Sequence, residues 1–446
     1  MFNEKFVVDR LLESVAALDY PQDKLEIQIL DDSTDDTTEQ CYRKVEELKS
    51  RGFDAVCIHR TDRTGFKAGA LEAATKVAKG EFLLILDADF VPEPDLLQKT
   101  IHFFTDENVG LVQTRWGHIN REYNLLTRIQ GMYLDGHFAM EQTARNRSGR
   151  FFTFNGTAGI WRKCVIGDAG GWSHDTLTED MDLSYRVQLR GWRFIYLNDV
   201  VTPAELPVDM DGFKSQQHRW TKGSIQVCQK ILLDIWRSNA PLKAKVEATT
   251  HLTCNYSYLL LALLCFLVYP ICTQRIPENE TVFMWFVNVA LFFMTSVAVC
   301  IFYMSAQIVV RPKSWWKELP YLPLLLTLSV GMAVNNAKAV LEAIFGHQSA
   351  LVRTPKYGVD RKEDRRHVSQ LKRNGYRAIK SVVIPVLEIA CGTFFLNLII
   401  IMIRQGHYLS PILMIPFLGF YYTGFCSLGR MISNLLPAKQ TAKAKN

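Results

Sequence analysis

The sequence lacks the signatures of several large enzyme classes. Its ten cysteines are scattered, with no CxxC and no Cys/His pair at zinc spacing, which excludes a disulfide framework and a zinc module. Cys254, Cys265, Cys300, Cys391 and Cys426 lie inside apolar runs, where a free thiol behaves as a small hydrophobe. A reduced, cytosol-facing enzyme fits this usage. No GxSxG and no nucleophilic Cys/His pairing offers a covalent route, and no GxxxxGK[ST] supports a nucleotide hydrolase. Charge of one sign is also scarce. The formal net charge is +6 over 446 residues, and no basic stripe with interleaved aromatics points to nucleic acid. Anionic lipid or phosphate groups are the better targets. The start carries no signal-peptide pattern. Met1-Phe2-Asn3-Glu4 leads directly into a helical pattern, so the expectation is that a first strand, and an upstream membrane helix, is missing.

What is present divides in two. The averages of 48% hydrophobic and 22% charged residues hide a soluble α/β pattern over 1–240 and long apolar runs with Lys/Arg-rich connectors over 241–446. Val7, Val8, Leu11, Leu12, Val15 and Leu18 recur at helical spacing. A strand pattern at Leu25 to Leu30 stops at Asp31-Asp32-Ser33, and a helix through Lys49 and a strand at Ala55 to Ile58 follow. After the turn Thr64-Gly65-Phe66 come a helix from Lys67 to Ala78 and the apolar strand Phe82 to Leu86, which stops at Asp87-Ala88-Asp89. Such alternation argues for a mostly parallel sheet covered on both faces. Ligands gather beyond the carboxyl ends of its strands, so both acidic pairs should face one crevice.

In the second half, Leu252 to Cys272, Val282 to Val310, Ile379 to Ile403 and Leu409 to Gly429 are long enough to span a bilayer, which takes ~20 residues. The run from Leu319 carries two prolines and continues into an amphipathic pattern, better suited to an interfacial segment near 319–345. Four crossings with that segment at the interface put the basic stretches Arg311 to Lys317, Arg353 to Lys380 and Lys439 to Lys445 on the cytosolic side.

Three groups of residues carry chemistry. Asp87-Ala88-Asp89 offers two hard oxygen ligands suited to Mg²⁺ or Mn²⁺ on a diphosphate, although acidic turns after strands are also common. Thr178-Glu179-Asp180 opens a helix; beyond capping it, Asp180 has the chemistry of a general base taking a proton from an acceptor hydroxyl. In Gln216-Gln217-His218-Arg219-Trp220, Arg219 can hold a phosphate by charge-assisted hydrogen bonds and Trp220 can stack on a sugar. An Arg-Trp pair near a membrane also serves as an interfacial anchor.

Taken in order, Asn3-Glu4, Asp31-Asp32-Ser33, Asp87-Ala88-Asp89, Thr178-Glu179-Asp180 and QQHRW resemble the pattern of family 2 glycosyltransferases of the cellulose-synthase-like type. Phe154-Asn155-Gly156-Thr157-Ala158-Gly159-Ile160-Trp161-Arg162 is similar to the glucomannan and mannan synthase branch and its bacterial relatives. The resemblance covers Met1 to about Tyr357. It implies a GT-A-like, mostly parallel α/β catalytic domain followed by an α-helical transmembrane domain. It further implies that Asp32 contacts the nucleotide base, that Lys67 lies near the phosphates, and that Asp87 and Asp89 hold metal and donor. Asp180 would be the base. Gln216 and Arg219 would border the donor pyrophosphate, and Phe154, Asn155, Gly156, Glu179 and Trp220 the acceptor. Leu351 to Gly358 is similar in place to the cytosolic gating loop of cellulose synthases, in a cytosolic loop near 351–378.

The expected activity is an inverting, metal-dependent hexosyl transfer from UDP-glucose or GDP-mannose to a growing β-linked polysaccharide, processive and with translocation through the membrane. A non-processive enzyme acting on a diacylglycerol or polyprenyl phosphate is the alternative. The expected place is a bacterial inner membrane or a Golgi membrane, with the catalytic domain facing the cytosol. The sequence does not reveal partner subunits.

Overall fold

A computed structural model describes residues 1–273, 297–347, 354–359, 382–404 and 411–435. The first half follows the expected alternation of strand and helix. Strand β1 (Glu26–Asp31) buries every second residue, as a half-covered strand should, and pairs in parallel with β2 (Asp54–His59). Helix α1 (Val8–Ala16) buries Val8, Leu11 and Leu12, and Val8 and Leu12 pack with Ile27, Ile29, Val45 and Leu48. The backbone at Met1 extends the edge of β1, with the amide of Asp32 donating to Met1 O at 3.0 Å.

The second sheet corrects one expectation. Strands β3 (Phe82–Ile85), β4 (Val109–His118), β5 (Gly159–Arg162) and β6 (Arg193–Ala204) form a mixed sheet in the order β3-β5-β4-β6. It is not mostly parallel. β5 runs antiparallel to both neighbours, while β4 and β6 are parallel. The cause is the helical excursion after β4, which includes the helices Leu125–Asp135 and Thr143–Arg147 and brings the chain back at Gly159 opposite Gln113, on the side of the sheet where β4 ended, so β5 runs back along β4. β5 then inserts between β3 and β4 with Trp161 fully buried, packed against Phe154, Trp172 and Phe194.

Among the described residues the two sheets are not hydrogen-bonded to each other. A cavity of about 610 Å³ lies between them. Its inner end is apolar, lined by Leu12, Val15, Ile29 and Leu84, and its outer end is where the strands deliver their acidic termini.

The long helix Met210–Arg237 links the α/β half to the rest. Its N-cap Asp209 accepts from Gly212 N at 2.9 Å. Beyond it, among the described residues, two helical stretches are long and apolar enough to cross a membrane, Trp315–Ile344 and Val383–Arg404. The pair Leu242–Thr253 and Tyr256–Pro270, bent by 53°, makes a third if taken as one span. Trp315–Ile344 contains the run expected at the interface; it packs against the long helix through its last part, Ala333–Ile344. Pro411–Leu435 is a further helix of 25 residues. Of the run Val282 to Val310, only the apolar helix Val297–Val310 is described; of the connectors on which the four-crossing topology rests, Arg311 to Lys317 is described and the others lie mostly outside the described residues.

Candidate active site

β1 ends on two aspartates with different surroundings. Asp31 is fully buried; it accepts from Ser33 N at 3.1 Å, Thr38 Oγ1 at 2.7 Å and His59 Nδ1 at 2.7 Å. Burial works against its charge, but these bonds prevail and hold its carboxyl below the usual range. Asp31 thus shapes the turn. Asp32 lines the cavity and is gripped by both forks of Arg60, at 2.8 and 2.6 Å. Arg60 also donates to Phe66 O at 2.9 Å, tying the turn before the next helix to β1. That helix, Phe66–Val77, starts after Gly65, whose φ of 74° suits glycine.

Lys67, in its first turn, reaches across to Asp87 and donates to Gly156 O at 2.9 Å. Burial alone would lower its pKa; Asp87, then Glu179 and Asp180, raise it, so the ammonium stays charged. Asp87 is likewise held below the usual carboxylate range, desolvation being outweighed by Lys67 with help from Lys356 and Arg219. Asp89 is only 2% exposed and accepts from Lys356 Nζ at 2.6 Å and Glu205 N at 3.2 Å. Each carboxylate of the acidic triplet therefore already holds an ammonium ion.

Asp180 faces the same space. Gly156, at φ 82°, lies so close that a β-carbon there would sit 2.9 Å from Asp180 Oδ2 and 3.6 Å from Lys67 Nζ. Desolvation, then repulsion from Glu179, push the Asp180 carboxyl up to about 7, against the pull of Lys67 and the Met181 amide. Asn155 is oriented from the helical excursion: Nδ2 donates to His137 Nε2 at 3.2 Å, and Oδ1 accepts from Gln142 Nε2 at 2.8 Å.

One cavity thus gathers Asp32, Lys67, Asp87, Asp89, Asn155, Gly156, Glu179, Asp180, Gln216, Arg219 and Trp220. Phe154 is not brought to it. Its ring is buried in the core, 5.4 Å from that of Trp161, and it acts on the site only through the backbone that follows. Sequence reasoning missed Lys356 and Glu205. The segment 354–359 is pinned by the Glu205 carboxylate, which accepts from the amides of Tyr357 and Gly358 at 2.9 Å and Val359 at 3.2 Å. Glu205 follows directly on β6, so the rule that ligand groups cluster after strands was the available clue.

A family model described as "Glycosyltransferase like family 2" matches residues 1–223. The chain belongs to this family. Glucomannan 4-beta-mannosyltransferase 2 of Arabidopsis thaliana is 44% identical over 243 residues, covering 53% of this chain and 46% of that one. Glucomannan 4-beta-mannosyltransferase 1 of Oryza sativa subsp. japonica is 41% identical over 261 residues, covering 57% and 50%. The chain spans about half the length of these curated relatives. Among solved structures, a mannosyltransferase from Pyrobaculum calidifontis in complex with GDP-mannose and Mn²⁺ aligns with a TM-score of 0.54 at 20% identity, over 78% of this chain and 86% of that one. That likeness establishes the GT-A-like fold of this family 2 glycosyltransferase.

Proposed function

We propose that this chain is an inverting mannosyl- or glucosyltransferase that extends a β-linked polysaccharide from a nucleotide-sugar donor. The convergence of Asp87, Asp89, Asp180, Arg219 and Trp220 on one cavity supports the reading most directly, because a single displacement needs a diphosphate site and one base facing each other. The two plant relatives, named as glucomannan mannosyltransferases, make mannose the first sugar to test, with glucose the alternative.

In this reading Asp180 takes the proton from the acceptor hydroxyl as that oxygen attacks the anomeric carbon. A carboxylate with a pKa near 7 is matched to the task. Lys67 and Arg219 hold the diphosphate, and the Trp220 ring stacks on the sugar at the acceptor end. Asp32, held by Arg60, walls the nucleotide end. Asn155 and Gly156 line the acceptor side, where the absence of a side chain at Gly156 leaves Asp180 within reach of the incoming oxygen.

The residues also fit a divalent ion. Among the described residues no group of three or more His, Cys, Asp or Glu is arranged to hold one, but Asp87 and Asp89 are a cation-seeking pair, each already neutralised by a lysine. A pair of carboxylates completed by substrate phosphates is a common Mg²⁺ or Mn²⁺ set. Held there, the ion would offset charge on the leaving diphosphate.

The helices after 240 are proposed to cross the membrane and to carry the product through it. Membrane vesicles supplied with GDP-mannose or UDP-glucose, with and without EDTA, test the whole reading. The expected outcome is polymer from one donor, no transfer under EDTA, and recovery with Mn²⁺ or Mg²⁺. Full activity under EDTA would remove the metal from the scheme, and labelled lipid in place of polymer would replace the acceptor.

A further inference from the structure

The helix Met210–Arg237 presents two faces with unrelated jobs. Gln216, Arg219 and Trp220 line the cavity, and Gly223 on the same side meets Thr178, just before Asp180, so closely that a β-carbon would lie 2.5 Å from Thr178 Cγ2. Lys214, His218 and Lys222 recur every fourth residue, a spacing that places them on one stripe, turned away from that side. Each meets a carboxylate on an apolar helix. Lys214 Nζ lies 2.5 Å from Glu388 Oε2 on Val383–Arg404 and donates to Ser427 Oγ at 2.9 Å and Thr423 O at 3.1 Å on Pro411–Leu435. Lys222 Nζ lies 3.1 Å and His218 Nε2 3.2 Å from Glu342 Oε2 on Ala333–Ile344. Desolvation keeps His218 below its usual pKa.

Burial is nearly complete for Lys214 and Lys222, each 1% exposed, and for Glu388, while His218 and Glu342 are partly exposed. Fully buried ion pairs are poor devices for stability, since apolar residues of similar volume often replace them at no cost. The other oxygen of Glu388, Oε1, finds no partner among the described residues, so this pair is not optimised for stability. What a buried pair does well is fix register, because sliding either helix strands a charge.

We propose that Lys214, His218 and Lys222 are positioning residues that, keyed to Glu388 and Glu342, set where this helix holds Gln216, Arg219 and Trp220 against donor and acceptor. The proposal rests on the reading of those three residues as the donor and acceptor edge. It couples the apolar helices to catalysis: a shift of Glu388 or Glu342 along its helix axis is transmitted to Trp220 and Arg219.

The test compares the apolar pair Lys214→Met/Glu388→Leu with the exchanged pair Lys214→Glu/Glu388→Lys, using the full chain in lipid nanodiscs. Arg219→Ala and Trp220→Ala are run beside them. Melting temperature, donor affinity, turnover and product length are measured for each. The expected result is that the apolar pair melts like the parent, yet binds donor more weakly, loses turnover by ~10²-fold, the scale of a misplacement of about an ångström, and makes shorter product. The exchanged pair recovers part of each. If the apolar pair keeps full turnover and product length while Arg219→Ala and Trp220→Ala fail, the ion pair is only packing and the proposal falls alone. If Arg219→Ala and Trp220→Ala are themselves fully active, the underlying reading of the helix edge falls with it.

Discussion

Asp180 occupies a place that works against its own charge. Burial and Glu179 raise its pKa more than Lys67, the Met181 amide and Arg219 lower it, and the balance lies near 7. The sign of the pH dependence follows. With Asp180 as the proposed base, below that value the carboxyl is protonated and cannot accept a proton, so turnover should rise with pH across about 7 and then level off. Stability runs the other way: a carboxyl raised from 3.8 favours the protonated folded form, and that contribution is lost as pH climbs through about 7. Asp180→Asn should bind donor as the parent does, lose turnover by ~10²- to 10⁴-fold and lose the acid limb of the rate profile. Calorimetry with donor, beside rates measured from pH 5 to 9, checks this. Normal turnover would move the base to Glu179 or Asp182. Asp89→Ala should fail differently, by weaker donor binding, because the diphosphate loses the carboxylate that would hold its counter-ion. The aspartates, Arg219 and Trp220 were legible from residue type and position after strands or within one helical turn. Lys356 was not: it meets Asp89 from 267 residues away, and no local pattern encodes that contact.

Helices in the second half approach each other through glycine. A β-carbon on Gly331 would lie 2.5 Å from Gly419 O, and one on Gly419 would lie 2.4 Å from Thr327 O. The helices Leu322–Gly331 and Pro411–Leu435 therefore touch backbone to backbone, the kind of contact that small residues permit in apolar surroundings. Gly331→Leu should push them apart, at a cost of ~1–3 kcal/mol typical of overpacking. A lower melting temperature in detergent is the expected result; an unchanged melt would mean that the helices do not meet there. Most strands and helices of the first half were readable because they are long enough to repeat their pattern, and β3, though only four residues, shows as an apolar run that stops at Asp87-Ala88-Asp89. The four residues of β5 are too few to show a period, and nothing local distinguishes a parallel neighbour from an antiparallel one.

The whole chain joins a catalytic half, with its cleft between two sheets, to a half built of apolar helices, and the long helix Met210–Arg237 touches both. The proposed topology puts the catalytic half, Arg353 to Lys380 and the C-terminal tail in the cytosol, and Thr273 to Glu280 and Arg404 to Ser410 outside. Single cysteines in a cysteine-free background, probed on intact cells with an impermeant thiol reagent, decide it. Asn279→Cys should label and Lys362→Cys should not; the opposite pattern would overturn the arrangement.

The sequence by itself determined the division into an α/β half and an apolar half, the order of the early strands and helices, and the residue types that make a diphosphate and base chemistry possible. These follow from short-range periodicity and from side-chain chemistry, both written along the chain. Only the tertiary structure decided the mixed direction of the second sheet, the pairing of Lys67 with Asp87 and of Lys356 with Asp89, the burial of Phe154 away from the cavity, and the upward shift of Asp180. Each depends on which distant residues share a small volume from which water is excluded. There desolvation and charge act over a few ångströms, whatever the separation along the chain.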